Sequence, residues 1–164
     1  MPHSSPIPLT PEQCMRRAIE LAGEGVRKDC GGPFGAVIVK DGQILAEGEN
    51  RVTSTGDPTA HAEVVAIREA CARLETHVLE GCEIYASCEP CPMCLGAIEW
   101  ARLDRLYFAA TRQDAAAAGF DDERLYVELA KAPEARSLKT RRMLAEESGA
   151  PFAVWAQKQD KTPY

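Results

Sequence analysis

The sequence predicts an α/β protein in which helices cover both faces of a mixed β-sheet, a three-layer α/β/α arrangement. Apolar runs of strand length alternate with helical segments along most of the chain. A tight turn at Asp41-Gly42 predicts that the first two strands form an antiparallel hairpin. The helical connections between the later strands favour parallel pairing. A length of 164 residues suits one compact domain, residues 1–164, with its own hydrophobic core.

Local signals mark the first helix and the hairpin. Thr10 is expected to cap a helix that ends near Arg27, because Pro and Gln follow it at the first and third helical positions. The strands of the hairpin are expected at residues 36–39 and 44–49, which are rich in strand formers. The polar residues 50–59 predict a loop.

The rest of the chain continues the alternation. Apolar residues at helical spacing predict a helix from His61 to Leu74. The later elements are expected in this order: a strand at 82–87, a helix at 91–102, a strand at 105–110, a loop at 111–122, and helices at 123–131 and 151–159. Residues 132–149 show no clear pattern, and residues 1–9 are expected to be a flexible tail.

The charge of the chain argues against a nucleic-acid partner. Its formal net charge is −6 and its pI is about 5.2, and acidic residues surround the basic cluster of Lys139, Arg141 and Arg142. Nucleic-acid binders need a basic face to neutralise phosphates. No apolar run is long enough to span a membrane, and residues 1–8 do not resemble a signal peptide, so we expect a cytoplasmic protein without a membrane partner.

Seven cysteines in a chain without a signal peptide do not indicate a disulfide framework. Three of them fall within residues 88–94. The other four are expected to be small buried hydrophobic residues: Cys14, Cys30, Cys71 and Cys82.

Cys91 and Cys94 form a Cys-x-x-Cys pair that follows a strand and opens a helix. The N–H groups at a helix N-terminus lower the pKa of thiols, and only thiolates coordinate zinc. The pair by itself allows a thiol redox motif as well as a metal site. A purely structural zinc site would need a fourth protein ligand, and the sequence places no convincing one.

His61 and Glu63 favour a catalytic zinc site. His61, Cys91 and Cys94 supply three ligands and leave the fourth position open, as catalytic zinc requires. The order His-x-Glu and then Pro-Cys-x-x-Cys is the signature of zinc-dependent deaminases. Zinc makes water acidic enough to supply hydroxide at neutral pH, and Glu63 is expected to move the protons. Three other residues that could bind a metal are not assigned to zinc: His3, His77 and Cys88. Cys88 is expected on the floor of the substrate pocket.

Several segments resemble the cytidine-deaminase-like zinc deaminase superfamily, and more narrowly its bacterial guanine deaminases. These segments are residues 31–36, 57–63, 87–94 and 118–122. The resemblance extends from about Ala18 to Tyr164. It implies a mixed central sheet of about five strands, one zinc ion per subunit, and hydrolysis of guanine to xanthine and ammonia. It also implies a homodimer that exchanges its C-terminal segment, about residues 150–164, between subunits.

The same resemblance implies substrate contacts outside the zinc motif. Asp122 would contact the substrate and assist proton transfer, and Asn50 would hydrogen-bond the purine edge. Tyr164 would close the pocket of the partner subunit. The remaining implied substrate contacts are Phe34, Ala62 and Trp100, of which the two aromatic residues would wall the flat base.

The zinc motifs that are shared across the superfamily do not determine which substrate is deaminated. A second possibility is deamination of an adenosine in tRNA, although the acidic charge and the C-terminal tail count against it. A third is deamination of cytosine or of an aminotriazine such as ammeline, because the chemistry needs only an amino-substituted aromatic C=N bond.

Overall fold

The computed structural model describes residues 7–164, which divide into two compact units, one ending at Asp122 and one spanning Glu123–Tyr164. The elements of the first unit are α1 (Pro11–Arg27), β1 (Gly35–Lys40), β2 (Gln43–Glu49), α2 (Val52–Thr55), α3 (Ala62–Leu74), β3 (Cys82–Cys88), α4 (Pro92–Trp100), β4 (Arg105–Ala110) and α5 (Arg112–Ala117). The second unit contains α6 (Glu123–Leu129), a 3₁₀ turn (Pro133–Ala135) and α7 (Ala150–Gln157). Across residues 7–164, no helix is both long and apolar enough to cross a membrane.

The strands of the first unit form one mixed sheet, which confirms the predicted α/β class. Their order is β2-β1-β3-β4, with β1 antiparallel to β2 and β3, and β3 parallel to β4. Asp41 and Gly42 have φ angles of 51° and 72°, the positive values that a tight hairpin turn requires. The residues from 7 onward form four strands rather than the expected five, because the chain after β4 folds into short helices and irregular segments.

Alternate residues of β1 point to opposite faces of the sheet, and helices cover each face. Val37 and Val39 pack with residues of α1, whereas Ala36 and Ile38 pack with alanines of α3 and with Ile98 of α4. This alternation is the ordinary period of a strand. The helices α3 and α4, which carry the deaminase signature, therefore lie on the same face of the sheet.

Two short helices, α2 and α5, lie where the sequence predicts loops, and the loop predictions are wrong there. The missed signal for α5 is a capping box. Asp114 N donates to Thr111 Oγ1 at 3.3 Å, and Thr111 N donates to Asp114 Oδ2 at 2.8 Å. The following alanines then favour a helix, since alanine has the highest helix propensity.

The scattered cysteines divide into two groups. Cys14 and Cys82 are buried as predicted, whereas Cys30 and Cys71 are half-buried. Cys30 lies after the end of α1 and contacts the carboxylate of Glu49 at 3.6 Å, which leaves it at the margin of the core. All seven cysteines are free thiols.

The second unit has no buried residue. Its helices α6 and α7 confirm the helical predictions for this region, although both helices end two residues earlier than expected. The large apolar side chains that it exposes are Leu125, Val127, Leu129, Leu138, Met143, Leu144, Phe152, Val154, Trp155 and Tyr164. The exposed apolar surface is therefore extensive for one chain.

Gly48 sets the closest approach between β2 and α3. A Cβ atom at this position would lie 2.1 Å from the carbonyl oxygen of Ala62 and 2.7 Å from the backbone nitrogen of Ala66. We expect Gly48→Ala to lower the free energy of unfolding by about 1–3 kcal/mol, because the strand must move away from the helix. Urea denaturation measures the change. Gly96→Ala is the control, because a Cβ there meets no atom within 4 Å, and equal stability losses in both variants would contradict the prediction.

Candidate active site

His61, Cys91 and Cys94 converge on one point of the first unit. His61 Nδ1 lies 3.6 Å from Cys91 Sγ and 3.5 Å from Cys94 Sγ. The three ligand atoms all lie within 4.8 Å of one another. Among residues 7–164, this is the one cluster of three such groups that could hold a metal ion, and it excludes His77 and Cys88. His3 lies outside the described residues.

Helix N-termini position all three side chains. His61 is the N-cap of α3 and Cys91 the N-cap of α4, each with extended backbone and without a side-chain cap hydrogen bond. Both helices therefore begin one residue later than predicted. An N-cap side chain lies in front of the first turn, where it meets the side chain of the third helical residue. Cys94 is that residue in α4, so the Cys-x-x-Cys spacing brings the two thiols together.

The donor set fits zinc. One imidazole nitrogen and two thiolates are ordinary zinc ligands, and three protein ligands are the number found in catalytic sites, where water or substrate completes the coordination. The structure thus brings together the predicted ligands from positions 30 residues apart in the sequence. The neighbouring helix N-termini add partial positive charge that favours thiolates.

The pKa values of the cysteines show how closely the two thiols interact. The hydrogen bond with Cys94 lowers the pKa of the Cys91 thiol to about 4 in spite of burial, and His61 adds to the effect. The same contact with Cys91, together with burial, raises the pKa of Cys94. The protein groups alone therefore favour one thiolate. Metal binding removes the second proton, because a coordinating thiol is deprotonated.

Glu63 lies beside the cluster without being part of it. Its side chain is buried, and its Oε2 is 3.4 Å from the sulfur of Cys94. Burial raises the pKa of this carboxyl group. Glu63 is the second residue of α3, one turn or less from His61, so the start of one helix supplies both a metal donor and a buried carboxyl group.

Asn50 is buried at the end of β2, where its side chain is held by backbone groups. Its Oδ1 accepts hydrogen bonds from the backbone N–H groups of Gly32 and Val52, both at 3.2 Å. A free amide offers a ligand both a donor and an acceptor. In the structure the acceptor is engaged by the protein, which leaves the amino group as the part available to a ligand.

Phe34 and Phe120 form an aromatic pair close to Gly32, whose N–H group donates to this amide. Their ring centroids are 5.0 Å apart and the rings are nearly perpendicular. Both rings and Cys88 line a cavity of about 320 Å³, whose lining includes none of the metal donors and neither Glu63 nor Asn50. The place of Cys88 on the floor of the substrate pocket stays a prediction. The volume is in the range of small-molecule sites. Phe120 was not among the predicted site residues, although it belongs to the segment 118–122 that carries the family resemblance.

Asp122 ends the first unit, two residues after Phe120. Burial and the negative charge of Cys91 raise the pKa of Asp122, so the carboxyl group is within electrostatic reach of the metal cluster. Asp122 directly precedes α6.

The other predicted contacts lie in different settings. Ala62 is fully buried as the first residue of α3. Trp100 is 67% exposed at the end of α4 that is opposite Cys91. Tyr164 is 76% exposed in the second unit. Within a single chain, therefore, Ala62 adjoins the metal cluster, whereas Trp100 and Tyr164 present their side chains to the surface.

Comparison with known proteins gives the family. Residues 9–110 match the family model described as the cytidine and deoxycytidylate deaminase zinc-binding region. The chain belongs to this zinc deaminase family. Membership in this zinc deaminase family and the His61, Cys91 and Cys94 cluster together confirm the predicted zinc cofactor.

Two relatives match different shares of this chain. Guanine deaminase from Bacillus subtilis (strain 168) is 52% identical over 153 residues, which cover 93% of this chain and 98% of the relative. A tRNA-specific adenosine deaminase from Aquifex aeolicus (strain VF5) is 51% identical over 78 residues, or 48% of this chain and 52% of the relative.

Two solved guanine deaminase structures match this chain to different extents. The X-ray structure of guanine deaminase from Bacillus subtilis has a TM-score of 0.93 at 51% identity, and the match covers 95% of this chain and 99% of that chain. A guanine deaminase structure from Nitrosomonas europaea has a TM-score of 0.67 at 37% identity and covers 73% of this chain and 69% of that one.

Proposed function

We propose that this chain is a guanine deaminase, a hydrolase that converts guanine and water to xanthine and ammonia. One observation carries the substrate assignment. The match to the Bacillus subtilis guanine deaminase spans 153 residues and must extend into the second unit, because the first unit ends at Asp122. The match to the Aquifex aeolicus tRNA deaminase covers 78 residues, about half of the chain. The similarity to the guanine deaminase therefore includes residues that lie outside the zinc motif shared with the tRNA deaminase.

Glu63 is the proposed proton carrier. Zinc, when bound, acts as a Lewis acid that makes water acidic enough to attack at neutral pH. Glu63 would take a proton from the attacking water and deliver it to the ring nitrogen beside the carbon to which the water oxygen bonds. Glu63 would then carry the remaining proton of that oxygen to the exocyclic amine, so that ammonia leaves as the C–N bond breaks and the C=O bond of xanthine forms. The buried position of Glu63, 3.4 Å from the Cys94 sulfur, supports this role.

The remaining residues of the first unit are proposed to bind the base. Asn50 donates a hydrogen bond from its amino group to the base. Phe34, which forms the aromatic pair with Phe120, packs against the flat face of the base. Ala62, at the open N-terminus of α3, contacts the substrate through its backbone. Asp122 hydrogen-bonds the amine side of the base and assists proton transfer. The negative charge of Cys91, which together with burial raises the pKa of Asp122, supports a place for Asp122 near the metal donors.

A panel of amino-substituted substrates tests the assignment. Zinc-replete protein is expected to release ammonia fastest from guanine, compared with adenine, cytosine, cytidine, guanosine and ammeline. A folded tRNA with an unpaired adenosine is added as a separate arm, in which we expect no inosine, because the chain has a net charge of −6. Turnover of tRNA or cytosine with none of guanine would contradict the proposed function while leaving the zinc chemistry intact.

We infer that the chain folds into the predicted three-layer α/β/α domain and forms a homodimer by exchange of its C-terminal segment. The second unit has no buried residue and exposes ten large apolar side chains, and a second copy is the surface that would cover them. The exposure of Trp100 and Tyr164 in a single chain supports placing both at such an interface.

Two further statements stay predictions from the sequence. One is that residues 1–164 form a single domain, and the other is that the protein is cytoplasmic.

Subunit complementation tests the exchange. A chain lacking residues 155–164 keeps Glu63 but lacks Tyr164, and Glu63→Gln keeps the tail but lacks the proton carrier. Each variant alone is expected to have little activity. Unfolded together and refolded, they are expected to recover up to about a quarter of the wild-type rate, because half of randomly paired dimers contain one complete site.

The outcome separates action in trans from action in cis. If the tail serves the site of its own chain, the mixture stays as inactive as its components. Analytical ultracentrifugation of the truncated chain gives the second readout, since loss of the exchanged segment is expected to weaken the dimer. A truncated chain that is monomeric and fully active would refute the exchange.

A further inference from the structure

We infer that Glu89 is a positioning residue that holds Asp122 at a fixed place relative to the metal donors. It acts by joining residues 110–122, which end in Asp122, to the loop that leads into Cys91. The inference rests on the proposed function for the task of Asp122 in the reaction. The connection between Glu89 and residues 110–122 is a feature of the first unit alone.

Three contacts join the loop before α4 to the start of α5. The carboxylate of Glu89 accepts a hydrogen bond from the backbone N–H of Arg112, with 3.1 Å between Oε2 and the nitrogen. The N–H of Glu89 donates to the carbonyl oxygen of Ala110 at 2.8 Å. The thiol of Cys88 donates to the carbonyl oxygen of Thr111 at 3.5 Å. Three consecutive residues of one segment are therefore held by two consecutive residues of the other.

The carboxylate of Glu89 makes the stronger of the two side-chain contacts. A hydrogen bond to an ionised carboxylate is stronger than one between neutral groups, and a thiol is a weak donor. Arg112 is the first residue of α5, and the N–H groups of a first helical turn have no partner within the helix. Glu89 supplies that partner from 23 positions away. The start of α5 is thus fixed to the metal-binding loop.

The helix α5 connects this fixed start to Phe120 and Asp122. Its end forms a Schellman motif, in which the N–H of Phe120 donates to the carbonyl oxygen of Ala115 at 2.9 Å and the N–H of Gly119 to that of Ala116 at 3.0 Å. Gly119 has a φ of 94°, a positive value that glycine adopts without strain. The direction in which the chain leaves α5 toward Asp122 is therefore defined by hydrogen bonds.

The charges around Asp122 agree with this path. Burial and the negative charge of Cys91 raise the pKa of Asp122, whereas the positive charge of Arg112 opposes the rise. Asp122 is therefore within electrostatic reach of a metal donor and of the residue whose N–H Glu89 holds. About 1 Å of misplacement of a reacting group can reduce a rate by about 10²-fold. Loss of the Glu89 contact is expected to lower kcat while α3 and α4 keep the metal donors in place.

The first test removes the acceptor at position 89. Glu89→Ala is expected to lower kcat for guanine about tenfold or more, with one zinc ion per chain retained. Glu89→Gln keeps an oxygen for the Arg112 N–H and is expected to stay within about threefold of the wild-type kcat. Ammonia release and zinc content by mass spectrometry are the measurements. An unchanged kcat in Glu89→Ala, equal losses in both variants, or a loss of zinc in step with kcat would overturn the inference.

Asp104→Ala is the matched control. Oδ1 of Asp104 accepts a hydrogen bond from the N–H of Gly81 at 3.0 Å, also across 23 positions, at the ends of β3 and β4 that are opposite the metal cluster. The control removes the same kind of bond and is expected to keep wild-type kcat and zinc. A fall in its kcat as large as that of Glu89→Ala would contradict a positioning role. If thermal unfolding shows that Glu89→Ala does not fold, Glu89→Met decides in its place, because it keeps the stem without an acceptor oxygen.

A double-mutant cycle decides whether Glu89 acts through Asp122. Asp122→Asn alone is expected to lower kcat, and adding Glu89→Ala is expected to lower it by no more than about twofold further, because the residue to be positioned has already lost its function. Losses that multiply would overturn the inference, as would a wild-type kcat in Asp122→Asn. If the wild-type protein does not deaminate guanine, the proposed function fails separately, and the same cycle is run on the base that is turned over.

Discussion

Replacing Glu63 with glutamine is expected to reduce turnover by about 10²–10⁴-fold or more while one zinc ion per chain stays bound. Glutamine has nearly the same shape but cannot accept a proton from water and pass it on. Glu63 is not one of the three metal donors, and its carboxylate contacts the cluster only through the Cys94 sulfur at 3.4 Å. Metal retention with loss of turnover therefore distinguishes a proton carrier from a ligand.

The measurements are ammonia release from guanine and zinc content by mass spectrometry. Glu69→Gln provides the matched control, because Glu69 lies on the same helix α3 but is exposed and pairs with Arg73 at 2.7 Å. The control variant is expected to keep wild-type turnover. A Glu63→Gln variant with full zinc and wild-type turnover would remove the assigned role.

Removing the Cys91 sulfur is expected to remove the metal and the activity together. In Cys91→Ala, His61 and Cys94 are left as two protein donors, too few for the tetrahedral site that three ligands and water complete. We expect substoichiometric zinc after dialysis against a mild chelator. The loss of turnover should exceed the roughly 10–100-fold that outer-shell partners of a metal cost.

Cys71→Ala serves as the control for removing a sulfur atom, because Cys71 is a half-buried free thiol outside the metal cluster. It is expected to keep both zinc and turnover. The same pair of variants tests the alternative of a thiol redox motif. A redox pair would form a Cys91–Cys94 disulfide on oxidation, and Cys91→Ala would then lose that disulfide without any change in metal content.

The zinc site could be predicted largely because its parts are local. Cys91 and Cys94 stand at the N-cap and third position of one helix, and chain geometry alone brings such side chains together. His61 and Glu63 likewise share the start of α3. Spacing within one helical turn is set by covalent geometry and so can be predicted from the sequence.

Other predictions were wrong or incomplete for separate reasons. The loop prediction for residues 111–122 was wrong over α5, since the Thr111 and Asp114 capping box had not been considered. The number of strands was overestimated because it came from resemblance rather than from an apolar run. Asn50 was predicted as a purine contact, but which end of its amide is available could not be predicted.

The sequence by itself therefore determined the α/β class, the hairpin and the metal donors, and it predicts Glu63 as the proton carrier, since each motif consists of residues close together in the chain. The tertiary structure alone decided that α3 and α4 share one face of the sheet, which brings His61 to Cys91 and Cys94 from 30 positions away. It also decided that the N–H group of Gly32 meets Asn50 Oδ1 from 18 positions away. Such long-range contacts follow from burial and close packing of whole elements, and no local pattern encodes them.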